Sequence, residues 1–366
     1  MEEMEYMRLA IQLARQGCGW VNPNPMVGAV IVKDGKIIGQ GCHKKYGELH
    51  AERNALANCH TSTTGATLYV TLEPCCHYGR TPPCTEAIIE SGIGRVVVGS
   101  YDPNPMVAGK GIAILRSHGI EVMEKAAKDE CDKLNESFFY YIQSKTPYVV
   151  MKYAMTMDGK IATHTGKSQW ITGSAARQRV HEDRHRYSAL MVGAGTVLAD
   201  DPMLTCRLEN GRNPLRIICD TSLRTPLQAK VVLTTGIAPT LIATAVTDTN
   251  RHRPYLDAGC EIMVLPQKDN HIDLNSLMQR LGEKQIDSLL LEGGGTMNWS
   301  ALQSGVVNKV QAYIAPKLFG GIGKTPVEGV GVDHPEGAFL LSKPVITQID
   351  EDILLESEVI WCLQES

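Results

Sequence analysis

No run of about 18 apolar residues occurs in the chain, so no membrane-spanning helix is expected. Positive charge is not in excess: 36 Lys and Arg stand against 40 Asp and Glu, a net charge of −4. No broad basic face is implied, and nucleic acid is not an expected partner. A local cationic pocket for one phosphate stays compatible with that balance. The opening stretch MEEMEYMRLAIQLARQG is acidic, then amphipathic, without the basic start and long apolar run of a signal peptide. Internal repeats and low-complexity linkers are also missing. The eleven cysteines are odd in number and spread over 366 residues. A disulfide framework belongs to small secreted domains, so reduced thiols and a cytoplasmic location are expected.

What is there fits an ordinary globular protein, with 43% hydrophobic and 21% charged residues. The length suits two domains, each with its own core. Met4, Met7, Leu9, Ile11 and Leu13 fall in a helical pattern ending at Gly17. MVGAVIVKDGKIIGQGCH predicts a β-hairpin turning at Asp34-Gly35. Helix LHAERNALANC, strand ATLYVTLEP, helix CTEAIIESG and strand GRVVVGSYD follow. AGKGIAILRSHGIEVMEK adds a helix and a strand, and KDECDKLNESFFYYIQSK predicts one helix running out at Lys145. Pro147 comes next, so the domains are placed at 1–145 and 146–366. In the second, YVVMKYAMT, ALMVGAGTVLAD, LRIICD, TLIAT, IMVLP, SLLLEGGG and VQAYIAPKLFG are strand-like. HTGKSQWITGSAARQRVHEDRHRYSA supplies a loop and a helix. Both halves alternate strand with helix, the pattern of an α/β protein.

The densest chemistry is HAERNALANCHTSTTGATLYVTLEPCCHYGRTPPC, from His50 to Cys84. A catalytic zinc takes three protein ligands and keeps a fourth position open. His50 opens a helix and Cys75 ends a strand. Cys84 opens the next helix, where unpaired backbone N–H groups favour a thiolate. These three form the expected ligand set, with His77 an alternative. Glu52 lies about 200° round an ideal helix from His50, poorly placed as a ligand. Its side chain can instead reach the water at the metal as a general acid and base. Cys59 and Cys76 read as small buried hydrophobes and His60 as a solvated loop residue. A structural zinc would normally bring a fourth protein ligand, so the adjacent carboxylate favours catalysis.

HAE and PC match the H-x-E…P-C-x-x-C signature of the zinc-dependent cytidine-deaminase superfamily. Eight residues rather than two separate Cys75 from Cys84. With that spacing, EPCCHYGRTPPC and the upstream NPNPMVGAVIV closely resemble the deaminase half of the bifunctional riboflavin-biosynthesis deaminase/reductases, over residues 3–145. The resemblance implies a cytidine-deaminase-like three-layer α/β/α domain, zinc, and hydrolytic loss of ammonia from an aminopyrimidinone. It sets Asn24 against the ring. His43, Arg80, Asp102 and Asn104 surround the same mouth, with Arg80 suited to a ribose-phosphate.

MKYAMTMDGKIAT resembles the opening of a dihydrofolate-reductase-like α/β fold. KSQWITG, VHEDRHR, VGAGTVLADDPMLTCR and LLLEGGGTMNWSAL resemble the reductase half of the same family. A buried strand, a glycine turn and a helix start suit a pyrophosphate, though the pattern is not G-x-G-x-x-G. The resemblance implies NADPH contacts at Ala154, Trp170, Thr196, Asp200, Ser222, Gly294, Gly295, Thr296, Met297, Asn298, Trp299 and Ser300. Ser222 falls on the 2′-phosphate side, with Arg224 nearby. Substrate contacts are implied at Ser168, Arg184, Leu204, Arg207 and Glu292. Without the resemblance, Arg184 reads as part of a solvated face and Trp170 equally as core. Lys152 is a further proton-donor candidate, on a strand read as an edge.

The implied sequence of reactions deaminates 2,5-diamino-6-ribosylamino-4(3H)-pyrimidinone 5′-phosphate. Hydride from NADPH then converts the ribosyl group to a ribityl chain. A homo-oligomer acting on a small phosphorylated substrate is expected. Two alternatives stand beside this reading. One is another zinc deaminase, of nucleotides or tRNA, fused to an unrelated reductase. The other is a zinc-stabilised binding module without turnover.

Overall fold

The structure is a computed structural model and describes residues 3–79 and 81–360. It divides into two units, Met1–Lys145 and Thr146–Ser366. Among the described residues, no helix is long and apolar enough to cross a membrane.

The first unit runs α1 (Glu3–Ala14), β1 (Gly28–Lys33), β2 (Lys36–Cys42), α2 (Ala51–Ala57), β3 (Thr67–Leu72) and α3 (Cys84–Glu90). It continues with β4 (Arg95–Ser100), α4 (Lys110–Ser117), β5 (Glu121–Met123), α5 (Lys128–Leu134) and α6 (Glu136–Ser144). Its sheet has the order β2-β1-β3-β4-β5. β1 is antiparallel to both neighbours, whereas β3, β4 and β5 are parallel. The period-2 alternation of the strands sorts their side chains into two faces. Val30, Val32, Tyr69 and Val97 pack with Tyr6, Met7 and Ile11 of α1. Ala29, Ile31, Leu68, Val70, Val96 and Val98 pack with Ala51, Ala55, Ile88, Ile112 and Leu115 on the other side. Helices therefore cover both faces of the sheet.

Two glycines set how closely α2 lies on this sheet. A Cβ at Gly39 would stand 2.5 Å from the Ala55 carbonyl oxygen, and one at Gly41 2.4 Å from the Ala55 nitrogen. Their absence lets the helix that follows His50 lie against β2. The predicted single helix over KDECDKLNESFFYYIQSK is in fact two, α5 and α6, broken at Asn135. The buried Asn135 side chain accepts from Met26 N at 2.8 Å and donates to Met26 O at 2.9 Å. That bond, made across 109 residues of sequence, overrides local helical periodicity.

The second unit contains β6 (Tyr148–Thr156), α7 (Ser174–Arg186), β7 (Ala189–Gly193), α8 (Ala194–Asp200), β8 (Leu215–Cys219), α9 (Lys230–Leu233) and β9 (Thr240–Thr244). Then come α10 (Thr249–Asp257), β10 (Glu261–Val264), β11 (Gln267–Lys268), β12 (His271–Ile272), α11 (Leu274–Glu283), β13 (Ser288–Leu291) and α12 (Gly295–Gln303). β14 (Lys309–Ala315), β15 (Leu340–Leu341), β16 (Val345–Ile349) and β17 (Asp352–Ile360) complete it. The large sheet has the order β10-β9-β8-β7-β13-β6-β14-β17-β15, with β16 also paired to β17. It is parallel from β10 to β14, and β17 joins antiparallel. Val149, Met191, Ile217, Leu241 and Leu289 form its core with Leu277 and Leu281 of α11.

Two expectations are corrected here. ALMVGAGTVLAD is not one strand: β7 ends at Gly193, and Gly193, in extended backbone, caps α8. β6 is not an edge strand, because it pairs with β13 on one side and β14 on the other. Lys152 therefore lies on an interior strand.

Candidate active sites

In the first unit, three elements deliver three donor atoms to one point. His50 is the N-cap of α2, in extended backbone. Asn54 Nδ2 donates to the Leu49 and Cys42 carbonyls and fixes the chain just before it. Cys75 lies three residues beyond β3, and Cys84 is the first residue of α3. Arg53 donates to the carbonyls of Pro82 and Pro83, pinning the approach to Cys84. The His50 Nδ1 atom is 3.5 Å from Cys75 Sγ and 3.4 Å from Cys84 Sγ. All three donor atoms lie within 4.8 Å of one another. Two sulfurs and an imidazole nitrogen so gathered fit a zinc ion with one position left for a non-protein ligand. Thr81 Oγ1 stands 3.5 Å from the other ring nitrogen, Nε2, where a partner fixes ring orientation.

The electrostatics suit the same purpose. The Cys75 thiol is held down to about 4 by its hydrogen bond with Cys84 and by His50. Glu52 is buried, and burial pushes its carboxyl up, with the Cys75 charge adding to the rise. His50 stands at the cap, outside the helix, so the 200° estimate does not describe the pair. Glu52 is one residue inside the helix and close enough for its carboxyl to exchange a hydrogen bond with Cys84.

The surrounding mouth is partly assembled. Asn24 Nδ2 is 3.2 Å from His43 Nε2, and the His43 ring meets the His50 ring edge-on at 5.3 Å between centroids. His43 is buried, and burial pulls its imidazole down. Asp102 is also buried, which pushes its carboxyl up to about 6. The Asn104 side chain is engaged locally: its Oδ1 accepts from Met106 N. Arg80 lies outside the described residues. Cys76 and Cys59 donate to the Met106 and Ala55 carbonyls, and His60 is exposed, so none joins the cluster. The His77 Nδ1 atom is buried without a hydrogen-bond partner among the described residues, and His77 is not one of the three clustered donors.

Glu73 was not singled out from sequence. Its carboxylate accepts from Gly109 N at 3.0 Å, Ile112 N at 3.3 Å and Asp102 N at 3.4 Å. It thereby ties the 102–109 loop and the start of α4 to the segment carrying Cys75. The one sequence signal was an acid beside a proline at a strand end.

In the second unit, a cavity of about 380 Å³ opens at the carboxyl ends of β7, β8 and β13. Binding clefts of parallel sheets lie at this end. Gly193, Thr196, Asp200, Gly294, Gly295, Thr296, Met297, Ser300 and Ser168 line it. Two glycine turns and the amino end of α12 suit the close approach of a phosphate-bearing nucleotide, so the residues fit NADPH. The rest of the expected cofactor set is not brought to this cavity. The Asn298 side chain is buried and donates to the Pro326 carbonyl, and Trp299 packs edge-on against Phe339. α12 can turn only part of its surface to the cavity. Ala154 packs beside Val180 and Tyr313. Trp170 is 59% exposed, with Arg177 stacked 4.7 Å from its ring centre. Ser222 is exposed, and its neighbour Thr221 lines the cavity instead, as do Arg224 and His271.

A charged cluster stands at Glu292, just after β13. Arg184 Nε and Nη2 donate to the two Glu292 oxygens at 2.7 and 2.9 Å, and Nη1 donates to Thr205 O at 3.0 Å. Burial alone would push the Glu292 carboxyl up, but the Arg184 charge and hydrogen bonds hold it down to about 2. Burial pulls the Lys152 ammonium down, with Glu292 opposing. Leu204 is buried with φ +52°, and Arg207 is exposed. Arg184 is thus neither on a solvated face nor a free cation.

The comparisons with known proteins agree with this architecture. Residues 147–355 match the RibD C-terminal domain family, and residues 1–100 match the cytidine and deoxycytidylate deaminase zinc-binding region. The riboflavin biosynthesis protein RibD of Actinobacillus pleuropneumoniae is 55% identical, over 98% of this chain and 96% of its own. A Thermotoga maritima structure, a diaminohydroxyphosphoribosylaminopyrimidine deaminase/5-amino-6-(5-phosphoribosylamino)uracil reductase, is 40% identical with a TM-score of 0.84, covering 98% of both chains. Acinetobacter baumannii RibD is 37% identical with a TM-score of 0.88, covering 98% of this chain and 99% of its own. Identity at this level over the whole length, together with both domain matches, leaves no room for an unrelated fusion or a module without turnover. The chain belongs to the RibD family of bifunctional riboflavin-biosynthesis enzymes, in which a zinc-binding deaminase domain is joined to an NADPH-dependent reductase domain.

Proposed function

We propose that residues 1–145 deaminate 2,5-diamino-6-ribosylamino-4(3H)-pyrimidinone 5′-phosphate, and that residues 146–366 reduce the resulting 5-amino-6-(5-phosphoribosylamino)uracil. The observation that carries the first half is the convergence of His50, Cys75 and Cys84 beside buried Glu52. Zinc held there supplies the Lewis acidity that makes a water nucleophilic near neutral pH. Glu52 takes up the proton that this water gives up and passes it to the departing amine, a task that its raised proton affinity suits. Asn24 and His43 border the ring, with Asp102 beside the same mouth.

The second half rests on the cavity at the ends of β7, β8 and β13. NADPH bound there supplies hydride. Thr196, Asp200 and the Gly294–Met297 start of α12 would hold it, and Ser168, which lines the same cavity, would meet the substrate. Glu292 fixes Arg184, Lys152 faces the pair as a proton donor, and Arg207 offers the free cation for the phosphate. The chain works in the cytoplasm, as a homo-oligomer. The test is to supply the diaminopyrimidinone phosphate to the purified protein with and without NADPH. Ammonia release in both cases, with NADPH oxidised only after it, is expected. Ammonia release that depends on NADPH, or none, would overturn the reading.

A further inference from the structure

Arg216 carries a charge into the interior of the second unit. It lies on β8 and is 0% exposed. A buried charge has to be paired or richly hydrogen-bonded. Here the acceptors are four carbonyls and one hydroxyl. Nη2 donates to the carbonyls of Val231, Thr234 and Ala238 at 3.1, 3.0 and 2.6 Å, and Nη1 donates to Thr234 Oγ1 at 2.8 Å. Those bonds bind the guanidinium to α9 and the turn after it, as a purely structural arginine would be bound. The remaining one goes elsewhere: Nη1 also donates to the Met203 carbonyl at 3.1 Å.

Met203 belongs to the loop that follows α8. The loop starts beside Asp200, which ends α8 and lines the cavity. It then passes Thr205, whose carbonyl accepts from Arg184 at 3.0 Å. It thus joins the cofactor cavity to the Arg184–Glu292 pair. Its backbone needs holding: Asp201 and Leu204 have φ of +39° and +52°. Residues other than glycine keep such angles where their surroundings impose them. Asn213, just before β8, supplies a second hold, its Oδ1 accepting from Cys206 N at 2.9 Å. One short stretch, 213–216, therefore grips the loop at two points, Met203 and Cys206.

We propose that Arg216 and Asn213 are positioning residues for the reduction, holding residues 203–206 so that the substrate at Arg184 and the cofactor at Asp200 meet in register. The proposal rests on the reductase reading given above. Neither residue lines the cavity, so both act through the loop. Hydride transfer depends on the placement of donor and acceptor, and a small shift of the loop therefore shows in kcat more than in binding.

The test is steady-state reduction of supplied phosphoribosylaminouracil by the whole enzyme, beside urea unfolding. Asn213→Ala should lower kcat about 10-fold. Asn213→Asp keeps an oxygen for Cys206 N and should recover most of the loss. Arg216→Lys, whose single ammonium cannot span both Met203 and α9, should lower kcat about 10²-fold. Thr234→Val removes an Arg216 partner on the α9 side alone. It should unfold at lower urea yet keep kcat, which separates stability from positioning. Unchanged kcat in Asn213→Ala or in folded Arg216→Lys overturns the proposal. So does an Asp variant no better than Ala, or a Thr234→Val variant that loses as much kcat as Arg216→Lys. If Arg216→Lys does not fold, the two Asn213 variants decide. If the native enzyme does not oxidise NADPH with this substrate, the reductase reading itself has failed, and the proposal falls with it.

Discussion

The proposed deaminase centre is built from one short stretch of chain, and the proposed reductase site from six distant ones. His50, Glu52, Cys75 and Cys84 span 35 residues, and local elements alone carry them to a common point. The cavity of the second unit draws on Ser168, Thr196, Thr221, His271, Gly295 and Lys324. Chemistry packed into a local stretch shows its ligands by type and spacing. Chemistry gathered at a row of strand ends shows only its turns.

The sharpest way to break this contrast is to remove each centre and watch the other. Glu52→Gln should retain zinc by elemental analysis while deamination falls about 10²–10⁴-fold, the usual worth of a positioned acid and base. Cys84→Ser should lose the metal, and Cys76→Ser should keep it. With supplied aminouracil substrate, NADPH oxidation should persist in all three. Equal metal loss from both cysteine variants would refute the ligand assignment.

The second prediction strikes the reductase cluster. Glu292→Ala leaves the Arg184 guanidinium uncompensated, with both side chains only 14% and 13% exposed in the intact pair. Breaking a buried pair costs about 3–5 kcal/mol. Urea unfolding should show that loss in the second unit's transition, with deamination unmoved. A loss below about 1 kcal/mol would mean that Arg184 finds another partner or water.

The same contrast explains what was legible beforehand. MVGAVIVKDGKIIGQGCH announced the hairpin of β1 and β2, which turns at Asp34-Gly35. The break at Asn135 was invisible because its partner, Met26, lies 109 residues away. A glycine turn after SLLLE pointed to the cofactor loop, but Asn298 and Trp299 follow it on a helix whose orientation is set by Pro326 and Phe339. Ser222 and Thr221 differ by one residue, and only the fold decides which of the two meets the cavity.

Gly41 offers a finer test on the deaminase side. Gly41→Ala brings a Cβ to 2.4 Å from backbone of α2, which cannot yield as a side chain would. Overpacking of this sort costs about 1–3 kcal/mol. Because α2 follows directly from His50, chelator competition should also show weaker zinc retention. Gly35, at the hairpin turn, has open space around a Cβ, and its replacement should leave zinc retention as it was.

The smallest effect lies beneath the reductase cluster and separates scaffold from site. Asp183 is on α7, beside Arg184, but its side chain is buried near Tyr313, Arg179, Arg186, Gln311 and Glu356. Burial pushes its carboxyl up to about 6 from 3.8, more than the two arginines and Gln311 pull it down. Between those values the folded state binds the proton that the unfolded state has released. The native unit is therefore favoured at the acid end, and its stability declines as pH rises from about 4 through 6. Asp183→Asn removes the ionisable group, so it should flatten that slope and stabilise the second unit by about 1 kcal/mol at neutral pH. Denaturant midpoints measured across this range are the check. A variant that keeps the native slope would place the titration elsewhere. A variant destabilised at neutral pH would mean that the two arginines outweigh burial, making Asp183 a charged partner that the fold needs.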